Sequence, residues 1–347
     1  MSRTDPDVFG HEPVLQSLVI EQLGHVPPGW VIDATCGGAG HARSILDHRP
    51  DLQVLGLDRD PFAVRIARER LAPYGARAEV HHLRFDSLRE VVHGRTVVGA
   101  LFDLGMSSAQ LDHGDRGFSY RHNAPLDMRM DTTAGLSAAD VINGTTPAEL
   151  RHIIATYGDE RFADRVARAI VAARPILGTT ELADIVTEAI PAATRRTGGH
   201  PAKRTFQAVR IEVNDELRVL GPALDAAIDV MVHGGRCIVL SYHSGEDRIV
   251  KDRFRFAETG GCSCPSGLPC VCGALPRGRM VRRGVLRPTQ AEVTANPRAA
   301  SAVARVFECT AVAVADAFGP TTATTRPLPY NRKSAVPDGA KTKKVSR

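Results

Sequence analysis

Four short runs near the start of the chain predict strands: three are apolar, and the third along the chain mixes apolar and polar residues. They lie at 31–32, 53–57, 79–85 and 97–102. An aspartate follows each run: Asp33, Asp58, Asp86 and Asp103. Segments with helical spacing separate the runs, and Pro61 marks the first turn of a helix that extends to Leu71. This alternation of strand and helix predicts an α/β fold with a parallel, doubly wound sheet.

The strand pattern stops after Asp103 and resumes only at residue 236. Helical spacing in between predicts helices at 147–156, 160–173, 181–189 and 203–220, with N-caps at Thr146 and at Thr179 or Thr180. Runs at 236–241 and 304–314 predict two more strands. We therefore expect an α/β domain in two parts, 1–105 and 215–319, a helical domain at 106–214 inserted into it, and a tail at 320–347.

Composition and charge narrow the class of protein. The chain has 347 residues, and no apolar run approaches the roughly 18 residues of a membrane span. Residues 1–10 contain no signal-peptide core, so we expect a cytoplasmic protein with no membrane partner. The net charge of +5 is concentrated in the tail, where residues 320–347 carry seven Lys and Arg against one Asp. Such a tail suits a polyanion such as RNA, or equally serves as a solubilising end.

Small residues and a leading acid form the segment after the first predicted strand, Asp33-Ala34-Thr35-Cys36-Gly37-Gly38-Ala39-Gly40-His41. Small residues permit a sharp turn and the close approach of a ligand to the backbone. The dinucleotide pattern G-x-G-x-x-G is absent, and a carboxylate at Asp33 would repel a pyrophosphate but accept hydrogen bonds from an ammonium group. The loop therefore favours a cofactor with a cationic amino-acid end, such as S-adenosylmethionine. A purely structural turn is the alternative.

Asp58 is a second candidate for cofactor binding, because it ends the second predicted strand. A carboxylate at this place can accept hydrogen bonds from the hydroxyls of a ribose. It could instead cap the helix that begins near Pro61, but Asp60 is better placed for that cap. We therefore predict that Asp58 binds the ribose.

Candidate catalytic residues follow the strand that ends at Asp103. Transfer of a methyl group to an exocyclic amine requires the amine lone pair to be aimed at the methyl carbon, and hydrogen-bond acceptors can hold it in that orientation. Asp103 and the pair Ser107 and Ser108 are such acceptors. Serines at this position serve equally well in a turn.

His243 is the third catalytic candidate, because it follows the predicted strand at 236–241 and should reach the same sheet edge as Asp103. We predict that it lines the substrate side of the site. An N-cap at Ser244, with Glu246 and Asp247 in the first helical turn, would account for this segment without a catalytic role.

Two pairs of arginines are candidates for RNA binding. Arg116 and Arg129 lie close to aromatic residues in an aperiodic stretch, where such side chains can hold a phosphate backbone and stack on a base. Arg204 and Arg210 fall on one polar helical face. The structural alternatives are a loop packed at a domain boundary and a solvated helix face.

Four of the seven cysteines cluster in a Gly- and Pro-rich stretch as two C-x-C pairs: Cys262, Cys264, Cys270 and Cys272. Four thiolates this close can hold one zinc ion tetrahedrally, but the usual C-x-x-C spacing is absent. A zinc site and a reduced loop over the active site both remain open.

In chain order, these motifs resemble one family, the bacterial 16S ribosomal RNA cytosine-N4 methyltransferases of the MraW type. The motifs include Asp33-Ala34-Thr35 with Gly40-His41, Asp58-x-Asp60-Pro61, Asp103-Leu104-Gly105-x-Ser107-Ser108-x-Gln110, Arg116-Gly117-Phe118-Ser119, Asn214-Asp215-Glu216-Leu217 and His243-Ser244-x-Glu246-Asp247. The chain departs from the family at two places of interest. The family's Gly-Arg-Gly-Gly-His turn has Gly38 and Ala39 here, and Tyr242 replaces a phenylalanine.

The resemblance implies a class I S-adenosylmethionine-dependent methyltransferase fold, with a Rossmann-like sheet and an inserted helical substrate-recognition domain. It implies methylation of the N4 amine of a cytosine in the decoding centre (P-site region) of 16S rRNA in the small ribosomal subunit. By position, it implies cofactor contacts at Ala39, Gly40, His41, Asp58, Phe85, Asp103 and Gln110. An NAD-dependent oxidoreductase and a non-catalytic RNA-binding protein are the rival functions, and a homodimer is left open.

Overall fold

The computed structural model describes residues 13–107, 110, 114–195, 199–265 and 269–310. The predicted tail and Ser108 lie outside these ranges. The strands in the described part are β1 (Gly29–Asp33), β2 (Leu52–Asp58), β3 (Ala78–His82), β4 (Val97–Asp103), β5 (Met231–Ser241), β6 (Gly278–Met280) and β7 (Val303–Cys309). They form one sheet with the order β3-β2-β1-β4-β5-β7-β6.

Helices connect most of these strands. Those in the described ranges are α1 (Gln16–Leu23), α2 (Gly40–His48), α3 (Pro61–Leu71), α4 (Ala138–Gly144), α5 (Pro147–Gly158), α6 (Ala163–Ala172), α7 (Thr179–Ala189), α8 (Lys203–Asn214), α9 (Glu216–Val230), α10 (Ser244–Thr259) and α11 (Gln290–Ala295). Within the described residues, no helix combines the length and the apolar character that crossing a bilayer requires.

The sheet is parallel from β3 to β5, and β7 pairs antiparallel with both β5 and β6. Successive side chains along each strand enter two cores on opposite faces. Ile32 and Val239 pack on the face covered by α9 and α10, whereas Val31 and Ile238 pack on the face covered by α1 and α2. Because both faces are covered, the central strands β1, β2 and β4 are mostly apolar. This arrangement confirms the predicted parallel, doubly wound α/β fold.

Between β4 and β5 the chain leaves the sheet and forms helices α4 to α8 around a hydrophobic core of their own. Asn214, at the end of α8, is buried; its Nδ2 donates to the carbonyl of Met128 at 2.7 Å, and its Oδ1 accepts from the amide of Met130 at 2.8 Å. These bonds tie the loop that precedes α4 to the last helix of the block. All described residues belong to one compact unit, and the domain boundaries at 106 and 214 stay a prediction.

The predicted helix at 203–220 is wrong, because the structure has two helices there. Asp215 has left-handed backbone geometry, with φ of 60°, which ends α8 and starts α9 in a new direction. The predicted strand at 79–85 is shorter than expected: β3 ends at His82, and Phe85 begins a 3₁₀ turn. The predicted strand at 304–314 is confirmed as β7 over its described part.

The predicted helix cap at Thr146 is confirmed, and the cap predicted at Thr179 or Thr180 is wrong. Thr146 caps α5 as expected, in a reciprocal pair with Glu149. Thr179 and Thr180 do not cap α7, whose N-cap is Gly178. The Thr179 hydroxyl instead donates to the carbonyl of His122 at 2.8 Å, so it joins α7 to the preceding loop.

Candidate cofactor and catalytic site

A cavity of about 490 Å³ opens at the carboxyl ends of β1, β2, β4 and β5. It lies where the chain switches direction across the sheet, since β2 and β3 lie on one side of β1 and β4 lies on the other. Crevices at such switch points are the usual ligand sites of open α/β sheets. Of the predicted site residues, those that line the cavity are Gly40, His41, Asp58, Phe85, Asp103, Ser107, Gln110, Arg210 and His243. Asp33 and Ala39 lie behind the lining.

The loop after β1 is held tightly between the neighbouring strands. The Cys36 amide donates to the carbonyl of Leu57 at 2.9 Å, and the Ala34 amide donates to that of Leu101 at 2.8 Å. Gly37 and Ala39 both have left-handed backbone geometry, with φ of 52° and 63°. This geometry costs an alanine about 1 kcal/mol, whereas a glycine would adopt it freely. The loop behind the cavity lining is therefore strained at Ala39.

Close packing fixes the start of α2 in this loop. A Cβ on Gly40 would lie 2.8 Å from Cγ of Pro13, a distance that no side chain tolerates. Gly40 is therefore required by space, and Gly37 by its backbone angle. The small-residue pattern predicted a sharp turn here, and the structure confirms that turn.

Asp58 joins the loop after β1 to the loop after its own strand. One carboxylate oxygen accepts from the Gly37 amide and the other from the Asp60 amide, each at 2.8 Å. Burial outweighs these bonds and raises the pKa of Asp58 to about 6. Asp60 caps α3 as predicted, accepting from the Phe62 amide at 3.0 Å. Asp58 is less free than expected, but a carboxylate has about four acceptor positions, so it can still bind a ribose hydroxyl.

Phe85 and Gln110 form other parts of the wall. The Phe85 ring packs edge-on against Phe102 with centroids 5.7 Å apart, which leaves it at the cavity wall. Gln110 is buried, and its side-chain amide donates to Asp60 at 3.1 Å and accepts from the Ser107 amide at 3.1 Å. The Ser107 hydroxyl accepts from the Gln110 backbone amide at 3.3 Å. Ser107 thus has a turn role in addition to its place in the cavity lining.

Asp103 is held at the cavity through both its backbone and its carboxylate. Its amide donates to the Thr35 hydroxyl at 2.7 Å, and the Tyr242 hydroxyl donates to its Oδ1 at 2.7 Å. Nε2 of His41 lies 3.6 Å from its Oδ2. Burial and the neighbouring Asp103 charge raise the pKa of Tyr242, so this phenol stays protonated and donates. The roles of Thr35 and Tyr242 do not follow from the sequence pattern; the only signal is that Tyr242 stands where the resembling family has a phenylalanine.

Asp33 is almost completely buried beneath the loop. Its Oδ1 accepts from the Thr35 amide at 3.4 Å, and its Oδ2 has no hydrogen-bond partner among the described residues. Burial raises the pKa of Asp33 to about 7; His41 opposes this rise, and the Asp103 charge adds to it. The predicted direct contact of Asp33 with an ammonium group stays a prediction.

His243, rather than Ser244, is the N-cap of α10, so the predicted Ser244 cap is wrong. Nδ1 of His243 accepts from the amides of Gly245 at 3.2 Å and Glu246 at 3.4 Å. Since Nδ1 accepts, the proton resides on Nε2, which is buried 3.1 Å from Oε1 of Glu246 as an ion-pair contact without the alignment of a hydrogen bond. An imidazole held in this way has no lone pair free to accept a proton from a substrate. The catalytic role of His243 stays a prediction, and the geometry favours positioning.

Glu246 is the buried partner that fixes this turn. Its Oε2 accepts from the Tyr242 amide at 2.8 Å and the His243 amide at 3.2 Å. Burial alone would raise the pKa of Glu246, but the bonds from His243 and the Tyr242 amide outweigh it and lower the pKa below its usual range. Glu246 is therefore a carboxylate that orients both Tyr242 and His243.

The four arginines predicted to bind RNA differ in exposure. Arg116 pairs with the buried Asp60 and donates to the carbonyls of Arg129 and Met130 at 2.7 and 2.8 Å. Arg129 forms a two-bond pair with Asp127. These contacts give the two side chains structural roles, and their predicted contact with RNA stays a prediction.

Arg204 and Arg210 were expected on one polar face of α8. Arg210 is buried and forms a two-bond ion pair with Glu216, both bonds 2.8 Å. Arg204 is exposed, and its Nη1 donates to the carbonyl of Asp159 at 2.9 Å. Of this pair, only Arg204 presents its side chain at the surface.

The chemistry at the strand ends fits a cationic nucleoside cofactor. Asp58 and Asp103 line this part of the cavity and Asp33 lies behind it, so these acidic side chains suit a sulfonium and an ammonium group. Both imidazole nitrogens of His41 are buried and have no hydrogen-bond partner among the described residues, which leaves them available to a ligand. The ring of Phe85 offers a flat apolar wall for a base. The residues present therefore fit S-adenosylmethionine.

Comparison with known proteins agrees with this site. A family model described as "MraW methylase family" matches residues 8–310. The chain is 49% identical over 308 residues to "Ribosomal RNA small subunit methyltransferase H" of Saccharopolyspora erythraea, with 86% of this chain and 93% of the relative covered. It is 48% identical over 307 residues to the protein of the same name in Symbiobacterium thermophilum, covering 86% of this chain and 96% of that one.

Among solved structures, an rRNA methylase from Streptococcus thermophilus covers 85% of this chain and 94% of its own length, at 11% identity and a TM-score of 0.38. The fold assignment rests on the strand order and on the family match. The chain belongs to the MraW methylase family, which confirms the predicted family, the class I methyltransferase fold and S-adenosylmethionine as the cofactor.

Proposed function

We propose that this protein transfers a methyl group from S-adenosylmethionine to the N4 amine of a cytosine in the decoding centre (P-site region) of 16S rRNA. The observation that carries the proposal is the group of carboxylates at one sheet edge, Asp33, Asp58 and Asp103. Three carboxylates would repel the pyrophosphate of NAD and attract a cationic methyl donor. The names of the relatives support a small-subunit RNA as the substrate.

The cavity residues would divide between the parts of the cofactor. Asp58 would accept hydrogen bonds from the ribose, and Phe85 would pack on the adenine. His41 and Asp103 would face the amino-acid end, with Asp33 adding negative charge from behind the loop. When bound, the cofactor supplies an electrophilic methyl carbon attached to a positively charged sulfur.

The target base would enter between the sheet and the helical block. Lys203, Gln207 and Arg210 of α8 line the cavity together with Asp103 and His243 at the strand ends. A cytosine inside a structured RNA must leave its stack to reach such a cavity. Cations at the cavity wall, Lys203 among them, suit the phosphates on either side of the extruded nucleotide.

Asp103 is the residue we assign to the reacting amine. The cofactor would supply the methyl carbon and its sulfur would keep the electron pair of the C–S bond, while Asp103 would aim the N4 lone pair at that carbon. The amine then carries an extra proton, which leaves to an acceptor or to water. Asp103 is suited to both tasks, because Tyr242 holds its Oδ1 while the carboxylate remains partly exposed in the cavity.

A small-subunit substrate places the reaction in the cytoplasm, where ribosomal subunits are assembled, and this location is part of the proposal. The RNA-binding residues, the domain division and the homodimer also stay proposals. Analytical ultracentrifugation of the purified chain would test the homodimer.

Methyl transfer to small ribosomal subunits tests the proposal. Subunits from cells that lack this protein are incubated with it and labelled S-adenosylmethionine, and the labelled nucleotide is mapped by nuclease digestion and mass spectrometry. We expect one N4-methylcytosine in the decoding centre with the intact chain and none with Asp103→Ala. The exposed ion-pair variant Asp164→Asn is the matched control and should retain the activity. Label on another atom or another RNA would overturn the substrate assignment.

A further inference from the structure

The connection between α10 and β6 contains four cysteine thiols in one place, outside the cavity lining. Its described residues, between Thr259 and Gly278, form no helix or strand. Connections of this length without secondary structure are uncommon in compact domains and are usually functional or disordered. We therefore expect a feature other than backbone hydrogen bonding to hold the connection between α10 and β6 in one conformation.

The thiols lie at the spacing of ligands around a single metal ion. Sγ of Cys270 is 3.5 Å from that of Cys262 and 3.4 Å from that of Cys272. The ligand atoms of all four, Cys264 included, lie within 4.8 Å of one another. Zinc–sulfur bonds of about 2.3 Å in a tetrahedron place the sulfurs roughly 3.8 Å apart. A disulfide would require about 2.05 Å, and all four thiols are free.

We propose that Cys262, Cys264, Cys270 and Cys272 bind one zinc ion. Binding displaces the four thiol protons to solvent and forms four Zn–S bonds, with no change of oxidation state. Four protein ligands close the coordination sphere, so the site is structural rather than catalytic. In the described residues, no other group of three or more candidate ligands lies within reach of one ion.

The two ends of the connection are already close together. The Arg277 amide donates to the carbonyl of Ala257 at 2.8 Å, and the Cys262 amide donates to that of Thr259 at 3.1 Å. A Cβ on Gly260 would lie 2.5 Å from the backbone of Leu275, so the outgoing and returning segments touch. Closure at the base brings the two C-x-C pairs to one another across the loop.

Apolar burial does not hold the residues around the second C-x-C pair in place. Val271 and Leu275 are 89% and 78% exposed, although they lie within and just after the second C-x-C pair. Four reduced thiols on a surface segment without a core are prone to oxidation. A bound metal ion would fix the loop without a hydrophobic core. It would also protect the sulfurs from oxidation, because all four would be coordinated as thiolates.

Metal analysis of the full chain tests the site. The protein is purified with a thiol reductant and without chelators, and its zinc, iron and sulfhydryl contents are measured. We expect about one zinc per chain, none in the double variant Cys264→Ser with Cys272→Ser, and the wild-type amount in Ser263→Ala. Four reactive thiols without metal after zinc is supplied, a pair of disulfides, or bound iron would each overturn the proposal.

Two further measurements separate this site from the proposed function. Replacement of zinc by cobalt should give the strong visible absorption of tetrahedral thiolate–cobalt, and the double variant should not. Limited proteolysis should cleave the connection faster in the double variant than in Ser263→Ala. Binding of S-adenosylmethionine, measured by calorimetry, should stay within about threefold of wild type in both variants, because none of the four cysteines lines the cavity. Loss of cofactor binding with zinc retained would instead count against the proposed function alone.

Discussion

Asp103 receives contacts from three residues in two segments that are far apart in the chain, the loop after β1 and the end of β5. Thr35 fixes its backbone, Tyr242 fixes one carboxylate oxygen, and His41 faces the other. The hydrogen bond from a neutral phenol to a carboxylate is worth about 1.5–3 kcal/mol when it is buried. We therefore expect Tyr242 to be a positioning residue that acts through Asp103.

Tyr242→Phe should lower kcat for methyl transfer by about threefold to tenfold and leave cofactor affinity almost unchanged, because the ring keeps its packing while Asp103 loses an orienting bond. Steady-state kinetics with small subunits and calorimetry with the cofactor would show this split. Equal losses in kcat and affinity would mean that Tyr242 acts on the cofactor instead.

Asp33→Asn should have opposite effects on stability and binding. Replacing a buried, poorly bonded carboxylate with an amide should raise the free energy of unfolding of the cofactor-free protein by about 1–3 kcal/mol at pH 8. It should weaken S-adenosylmethionine binding by about threefold to tenfold, because one negative charge behind the loop is lost. Denaturation and calorimetry at one pH test both parts. Asp164→Asn is the control, and a destabilised Asp33→Asn would contradict this account.

Two substitutions would distinguish a positioning role of His243 from a role as an acid–base catalyst. Asparagine at an N-cap accepts from the same amides, so His243→Asn should keep the melting temperature and most of the methyl transfer. His243→Ala should lose about 1 kcal/mol from the cap and leave Glu246 without its partner. If His243→Asn folds normally but loses more than about 100-fold in kcat, His243 is an acid–base catalyst and the positioning role is wrong.

At the scale of elements, the turn between α8 and α9 controls one wall of the site. The left-handed Asp215 brings Glu216 back towards Arg210, and their ion pair is buried where α8 faces the cavity. Removing one partner from a buried pair leaves an uncompensated charge, which costs more than the pair contributes.

Arg210→Met should therefore lower the free energy of unfolding by about 3–5 kcal/mol, and adding Glu216→Gln should recover most of that loss. Urea denaturation followed by circular dichroism would measure both changes. Arg168→Met breaks an exposed pair with Asp164 on α6 and should cost less than about 1 kcal/mol. Equal effects of the buried and exposed substitutions would show that the pair does not stabilise the turn.

Local chemistry explains which elements could be predicted. The Asp60 and Thr146 caps depend on residues within three positions, so the sequence contains the whole signal. Arg210 was expected on a solvated or RNA-binding face, because helical spacing does not reveal that a following turn supplies Glu216. The Tyr242–Asp103 bond joins residues 139 positions apart and follows only from the parallel pairing of β4 and β5.

At the scale of the whole molecule, the two buried aspartates of the site lower the free energy of unfolding near neutral pH. The folded state raises the pKa of Asp33 to about 7 and that of Asp58 to about 6, whereas an ordinary aspartate has a pKa of 3.8. Between these values the folded protein binds protons that the unfolded chain releases. The contribution of these two groups to stability is therefore present at the acidic end and falls as pH rises through this window.

Binding of a cationic cofactor favours the ionised carboxylates and should remove this penalty. We therefore expect the increase in melting temperature on adding S-adenosylmethionine to be larger at about pH 7.5 than at about pH 5.5. Scanning calorimetry at a fixed ratio of cofactor to protein would measure it, and Asp33→Asn should show a weaker dependence on pH. An increase that is independent of pH would mean that neither carboxylate senses the cofactor.

The position of β7 in the sheet has a consequence for how the chain is made. β7 lies between β5 and β6, yet it is the last described strand to be synthesised. Until it emerges, β5 presents an open edge with its hydrogen-bonding groups unpaired, which is a site for aggregation. The residues that line the cavity come from many parts of the chain, the first being Pro13 and the last Ser301. A nascent chain on the ribosome therefore cannot use the cofactor to stabilise its growing sheet, and a truncation that removes β7 should yield insoluble protein.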